Sequence, residues 1–147
     1  MTQRFRRLSH SVYECKYHIV FYPKYRYRIF KNGMGEYTQQ QIYQLCRQKE
    51  HIEVLELNVQ ADHIHLVASI APKYAVSEFL GYLKGKLALR LFQQYESLTK
   101  RYWGRHLWAR GYCVSTVGLD EEKIRKYVQW QEQQEKHDEA VQGKLFD

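Results

Sequence analysis

The sequence predicts an α+β fold in which an antiparallel sheet carries two helices on one face. Three observations carry that prediction. Period-two alternation runs through residues 13–22, 52–59 and 61–70, each bounded by turn residues. Apolar residues at Val76, Phe79, Leu80, Leu83, Leu87 and Leu91 recur at helical spacing. The elements then fall in the order βαββαβ with one extra helix at the end, the order of a ferredoxin-like or RRM-like sandwich.

The first strand, 13–22, places Tyr13, Cys15, Tyr17, Ile19 and Phe21 on one side and Glu14, Lys16, His18 and Val20 on the other, and Pro23 stops it. A basic loop ends at the turn signal Asn32-Gly33-Met34-Gly35. Thr38 with Gln41 reads as a capping box, opening a helix that buries Ile42, Leu45 and Cys46. The second strand, 52–59, alternates loosely and leads through Gln60-Ala61-Asp62 into a third as a hairpin. Gly81 and Gly85 interrupt the long second helix, and close packing is a reason for them. A fourth strand covers about 112–117 and breaks at Gly118. Asp120, Glu121 and Glu122 suit the N-terminus of the last helix, which runs through Glu135 or so. The sandwich leaves its second sheet face available for a ligand.

At 147 residues with 44% apolar and 27% charged residues, the chain reads as one soluble globular domain, 1–147. It contains no apolar run of the ~20 residues that span a bilayer and no secretory signal. Three widely spaced cysteines without a CxxC pair read as reduced thiols in a cytoplasmic protein. The net charge of +7 is concentrated at the N-terminus. Arg4, Arg6, Arg7, Lys16, Lys24, Arg26, Arg28 and Lys31 stand against Glu14 alone and account for the whole excess. Tyr13, Tyr17, Phe21, Tyr22, Tyr25 and Tyr27 are interleaved with them. Cations neutralise phosphates and aromatic rings stack on unpaired bases, so the mixture suits single-stranded nucleic acid. A solvated basic face over ordinary core tyrosines is the alternative.

The chemistry-bearing stretch is ADHIHLVASI. With period two, Ile64, Leu66, Ala68 and Ile70 share the core face, while His63, His65, Val67 and Ser69 share the other. Two strand histidines at this spacing have Cα atoms roughly 6.5–7 Å apart, close enough to chelate one metal ion. Two partly exposed histidines with no ligand are the alternative. In the last helix Tyr127 and Gln131 stand at i and i+4 on one face, with Ile124 and Val128 as the core contacts. Two imidazoles and an amide oxygen with vacant positions suit Mg²⁺ or Mn²⁺ with phosphate oxygens better than structural zinc.

ADHIHL, YLKGKLALRLF, LWARGYCVSTVG and EKIRKYVQWQ, preceded by CKYHIVFYPKYR, together resemble the single-tyrosine HUH transposases of the insertion-sequence-200-like family. The resemblance covers nearly the whole chain. It implies that His63 and His65 ligate the metal, that Tyr127 is the nucleophile and that Gln131 completes the ligand set. It further implies single-stranded DNA with hairpin-forming ends as substrate. A homodimer is also implied, in which the tyrosine helix of one protomer completes the site of the other. Ala61, where relatives commonly have proline, and Leu87-Ala88, where small hydroxyl residues are frequent, depart from the pattern without touching the proposed ligands.

The expected reaction is attack of Tyr127 on a phosphodiester, giving a 5′-phosphotyrosine and a 3′-hydroxyl, with no nucleotide-binding loop required. Arg4, Arg6, Arg7, Lys24, Arg26 and Arg28 are candidates for DNA contact. Gly118 is a candidate hinge, a turn glycine being the alternative. A noncatalytic RRM-like binding module explains the charge and tyrosines but leaves HIH and the Tyr127–Gln131 pair without a role. A domesticated HUH endonuclease would share every feature. A metal-dependent hydrolase would use HIH without needing Tyr127.

Overall fold

The computed structural model describes residues 5–117, together with Gln129 and Gln133, both helical. By its contacts the chain divides into two compact units, Met1–Thr116 and Val117–Asp147, and the fold below is that of the first.

The chain opens with a ribbon of two short antiparallel strands, β1 (Arg6–Leu8) and β2 (Ser11–Tyr13), with Arg6 opposite Tyr13. β3 (Lys16–Phe21) follows, then α1 (Met34–Arg47), β4 (Ile52–Val59), β5 (Ile64–Ile70), α2 (Val76–Gln94), the short α3 (Glu96–Arg101) and β6 (Cys113–Thr116). The main sheet has the order β4-β5-β3-β6, and every neighbouring pair is antiparallel. Two split βαβ units, β3-α1-β4 and β5-α2-β6, interleave to give this order, as the predicted sandwich requires.

The helical face of the sheet is the core. Ile19 and Phe21 of β3 meet Ile64, Leu66 and Ala68 of β5 beneath Ile42 and Leu45 of α1 and Leu80, Leu83, Leu87 and Leu91 of α2. All of these are buried, as the period-two and helical patterns imply. Arg90 of α2 donates to Gln41 Oε1 of α1 at 2.7 Å and ties the two helices together at their edge.

Four expectations change. The alternation through 13–22 is not one strand: Tyr13 belongs to the ribbon, and the ladder restarts at Lys16. The Cys15 carbonyl still accepts from Ile70 N at 2.9 Å, so the chain changes partners while staying extended, which preserves the sequence alternation across the break. Helix α1 begins at Met34, four residues before the capping box. Asn32 (φ +54°) and Gly33 (φ +90°) turn the chain in left-handed conformations, and the helix follows at once. Thr38 then lies inside the helix, its hydroxyl donating to the Met34 carbonyl at 2.7 Å.

Gly81 and Gly85 are not close-packing sites among the described residues, none of which lies within 4 Å of a Cβ at either position. The second sheet face is also not open at its centre: Val20, His65, Val67 and Ser69 are at most 4% exposed, so β5 is buried on both sides. The loose alternation of β4 has a simple cause. A register shift between Val54 and Glu56 leaves Leu55 without a place in the ladder. Among the described residues no helix is long and apolar enough to cross a membrane, and Cys15, Cys46 and Cys113 form no disulfide.

Candidate active site

The site is built by the β4–β5 hairpin. Val59 pairs with Ile64, and Gln60 N donates to the His63 carbonyl at 2.8 Å, so Ala61 and Asp62 form the tip. Phe30 N donates to the Ala61 carbonyl at 3.0 Å, which anchors this tip to the segment following β3. The short turn sets Asp62 immediately beside the first histidine.

His63 and His65 lie together, with ring centroids 4.8 Å apart and planes at 80°. They are 1% and 0% exposed. His63 Nδ1 lies 2.6 Å from Asp62 Oδ1. An ionised carboxylate only accepts, so Nδ1 of His63 carries the proton and Nε2 is the ring's basic nitrogen. Asp62 is itself steadied by Arg26, whose Nε lies 3.4 Å from Oδ2 and whose guanidinium sits 4.7 Å from the centre of the Tyr22 ring. Tyr22 in turn lies 6.2 Å from the His63 ring. His65 Nδ1 stands 3.1 Å from Nε2 of His18, on the neighbouring strand β3.

This arrangement fits a divalent ion. Each imidazole uses Nδ1 for a partner in the protein, the pattern by which a second layer of groups orients ligating histidines. Among the described residues no cluster of three or more His, Cys, Asp or Glu is arranged to hold a metal, so the pair would supply only part of a coordination sphere. Neutral nitrogen donors favour Mn²⁺ somewhat over Mg²⁺.

Of the residues singled out from sequence, the structure therefore brings together His63 and His65, with Arg26 behind them. Tyr127, Gln131, Gly118 and Arg4 lie outside the described residues. Arg6 is on the ribbon and pairs with Glu53 at 2.8 Å, while Arg7 is exposed. Lys24 lies 5.2 Å from the Tyr25 ring centre. Arg28 lines a separate groove of about 450 Å³ with Lys31, Tyr95 and Arg101. Sequence reasoning missed His18 and the second task of Arg26. The alternation had already placed His18 on the face away from the core, but its partner depends on which strand lies beside β3. Nothing local in the sequence states that.

Comparison with known proteins agrees with this architecture. The family model described as "Transposase IS200 like" matches residues 11–131. The transposase for insertion sequence element IS200 of Salmonella typhimurium is 42% identical over 134 residues, covering 91% of this chain and 88% of the relative. The ISDra2 transposase TnpA of Deinococcus radiodurans is 32% identical over 125 residues, covering 84% and 89%. A crystal structure from Deinococcus radiodurans R1, assigned as a transposase, superposes with a TM-score of 0.70 at 28% identity, covering 86% of this chain and 97% of that one. A REP-associated tyrosine transposase bound to a REP hairpin shares the fold, with a TM-score of 0.54 at 11% identity over 86% of this chain and 68% of that one. The chain belongs to the IS200-like transposase family.

Proposed function

We propose that this transposase cleaves and rejoins single-stranded, hairpin-forming DNA ends through a 5′-phosphotyrosine on Tyr127. Mg²⁺ or Mn²⁺ would be held by His63 and His65, with Gln131 as third ligand. The observation that carries the reading is the paired anchoring of the two imidazoles, His63 on Asp62 and His65 on His18. A bound divalent ion supplies positive charge to the attacked phosphate and to the departing oxygen.

The protein's own groups do the rest. Asp62 keeps the His63 proton on Nδ1, and Arg26 holds Asp62 in place. The phenolic oxygen of Tyr127 forms a bond to phosphorus as the bond to the 3′-oxygen breaks, and the phenolic proton ends on that oxygen as a 3′-hydroxyl. The phosphotyrosine conserves the bond, so a 3′-hydroxyl from a second strand can reverse the step and join new ends. The DNA hairpin in the REP-associated relative supports a hairpin substrate.

One nucleophile per chain holds one DNA end, which favours a homodimer with Tyr127 supplied by the partner and Gly118 as hinge. The edge strand β6, exposed along its length, supports association between copies. The test is incubation with Mg²⁺ and labelled single-stranded DNA. A covalent protein–DNA adduct that disappears in Tyr127→Phe is the expected result. Cleavage without an adduct that survives the substitution would instead mean water-mediated hydrolysis. Mixing Tyr127→Phe with a His63→Ala variant should restore adduct formation if the tyrosine acts across the dimer.

A further inference from the structure

We infer that His18 is a positioning residue for the metal site: it accepts the Nδ1 proton of His65 and thereby holds the His65 Nε2 lone pair ready for a divalent cation. The inference rests on the proposed role of His65 as a ligand and adds a residue and a task to it.

The register sets the pair. His18 faces Val67, and Val20 faces His65, so His18 and His65 stand on the same sheet face one step apart along the diagonal. Their nitrogens are 3.1 Å apart and the ring planes differ by 12°, which aligns the N–H of one ring with the lone pair of the other. His18 is 3% exposed and His65 fully buried, so neither ring has water as a ready substitute partner.

Two neutral imidazoles in this contact share one proton between the facing nitrogens. If His18 donates, His65 must carry its own proton on Nε2, and that nitrogen cannot ligate. If His65 donates, its Nε2 is basic and His18 keeps its proton on Nδ1. Only the second arrangement serves a cation. The two ligands are therefore anchored unequally. His63 leans on a carboxylate that accepts in any tautomer of its neighbour, whereas His65 leans on a ring that can hold it either way.

The test compares wild type, His65→Ala, His18→Leu and His18→Gln. Mn²⁺ affinity is followed by electron paramagnetic resonance, and imidazole protonation by ¹⁵N NMR of the metal-free protein. Gln places a side-chain oxygen where Nε2 of His18 was and can accept from the same direction. Leu fills similar volume without an acceptor. Wild type should show His65 protonated at Nδ1 only. His18→Leu should lose about 10–100-fold in Mn²⁺ affinity, the range typical for partners of metal-bound histidines. His18→Gln should recover most of it and keep the His65 tautomer.

Equal Mn²⁺ affinity in His18→Leu and wild type, while His65→Ala loses binding, would overturn the role of His18 alone. Gln performing no better than Leu would do the same. Should His18→Leu fail to fold, the NMR readout on wild type and His18→Gln still decides: His65 protonated at Nε2 overturns the inference. Mn²⁺ binding that His65→Ala leaves unchanged would instead remove the ligand reading on which it rests.

Discussion

Asp62 Oδ1 lies 2.6 Å from His63 Nδ1, within a hairpin tip only two residues long. Both residues belong to the short connection ahead of β5, where the turn closed by Gln60 N and the His63 carbonyl brings neighbouring side chains together instead of sending them to opposite faces as an extended strand would. A carboxylate acceptor at that distance fixes the ring's tautomer and its orientation. Asp62→Asn retains an acceptor but loses the charge, and Asp62→Ala loses both. We expect Mn²⁺ affinity to fall about tenfold in the first and up to about 100-fold in the second. Titration of the two purified variants checks the order, and equal, unchanged affinity in both would mean that His63 is not a ligand.

Much of this was legible in the residues themselves. The HIH strand, its core face and the hairpin before it follow from period-two alternation and a short polar connection, because both are local. The apolar stripe from Phe79 to Leu91 is likewise local and lies buried along α2. What was not legible depended on partners distant in sequence. Tyr13 looks like part of β3 because an extended chain alternates whether or not it keeps the same neighbour. Thr38 looks like a cap because its spacing to Gln41 is right, yet Gln41 is engaged by Arg90, 49 residues away. His18 joins His65 across 47 residues, through a strand pairing that no short motif encodes.

Gly81 and Gly85 illustrate a second kind of miss. Both sit inside α2, neither has a positive φ, and a Cβ would meet none of the described residues within 4 Å. Replacing either with alanine therefore removes backbone entropy from the unfolded chain without a clash. Gly81→Ala and Gly85→Ala should each stabilise the protein by roughly 0.5–1 kcal/mol. The measurement is the urea midpoint, which should rise with an unchanged slope. A fall in stability would show that this face of α2 packs against something.

Alkaline pH offers a separate check on the core. Burial pushes the Tyr102 hydroxyl up to about 12 from 10.0, and this group donates to the Lys24 carbonyl at 3.2 Å. Between those values the folded state keeps a proton that the unfolded chain has lost. The stability this contributes is full below pH 10 and disappears as pH rises through about 12. Buried Cys46 acts in the same sense from 9.0 to about 12. Lys84 acts oppositely: burial lowers its folded value, so the unfolded chain binds more protons just below 10.5 and stability rises there. The informative quantity is thus a difference between variants. Tyr102→Phe should flatten the decline between pH 10 and 12 relative to wild type, by chemical denaturation at each pH. A parallel displacement of the two curves would contradict the assignment.

The N-terminal arginines should separate into groups by what they already touch. Arg6 pairs with Glu53 and fastens the ribbon to β4, so Arg6→Gln should lower stability by no more than about 1 kcal/mol, as partly exposed pairs do. Arg26 lies against Asp62 and over Tyr22, so Arg26→Gln should weaken Mn²⁺ binding through His63. Arg7 is exposed on the ribbon, and Arg28 lines a groove together with Lys31 and Arg101. A groove carrying three cations attracts anions, which makes it an expected place for backbone phosphates. Arg7→Gln and Arg28→Gln should therefore each lower the slope of log affinity against log salt for single-stranded DNA by about 1, since each releases one fewer counterion. If Arg26→Gln changes that slope as much as Arg28→Gln while leaving Mn²⁺ affinity intact, Arg26 contacts DNA directly and its hold on Asp62 is incidental.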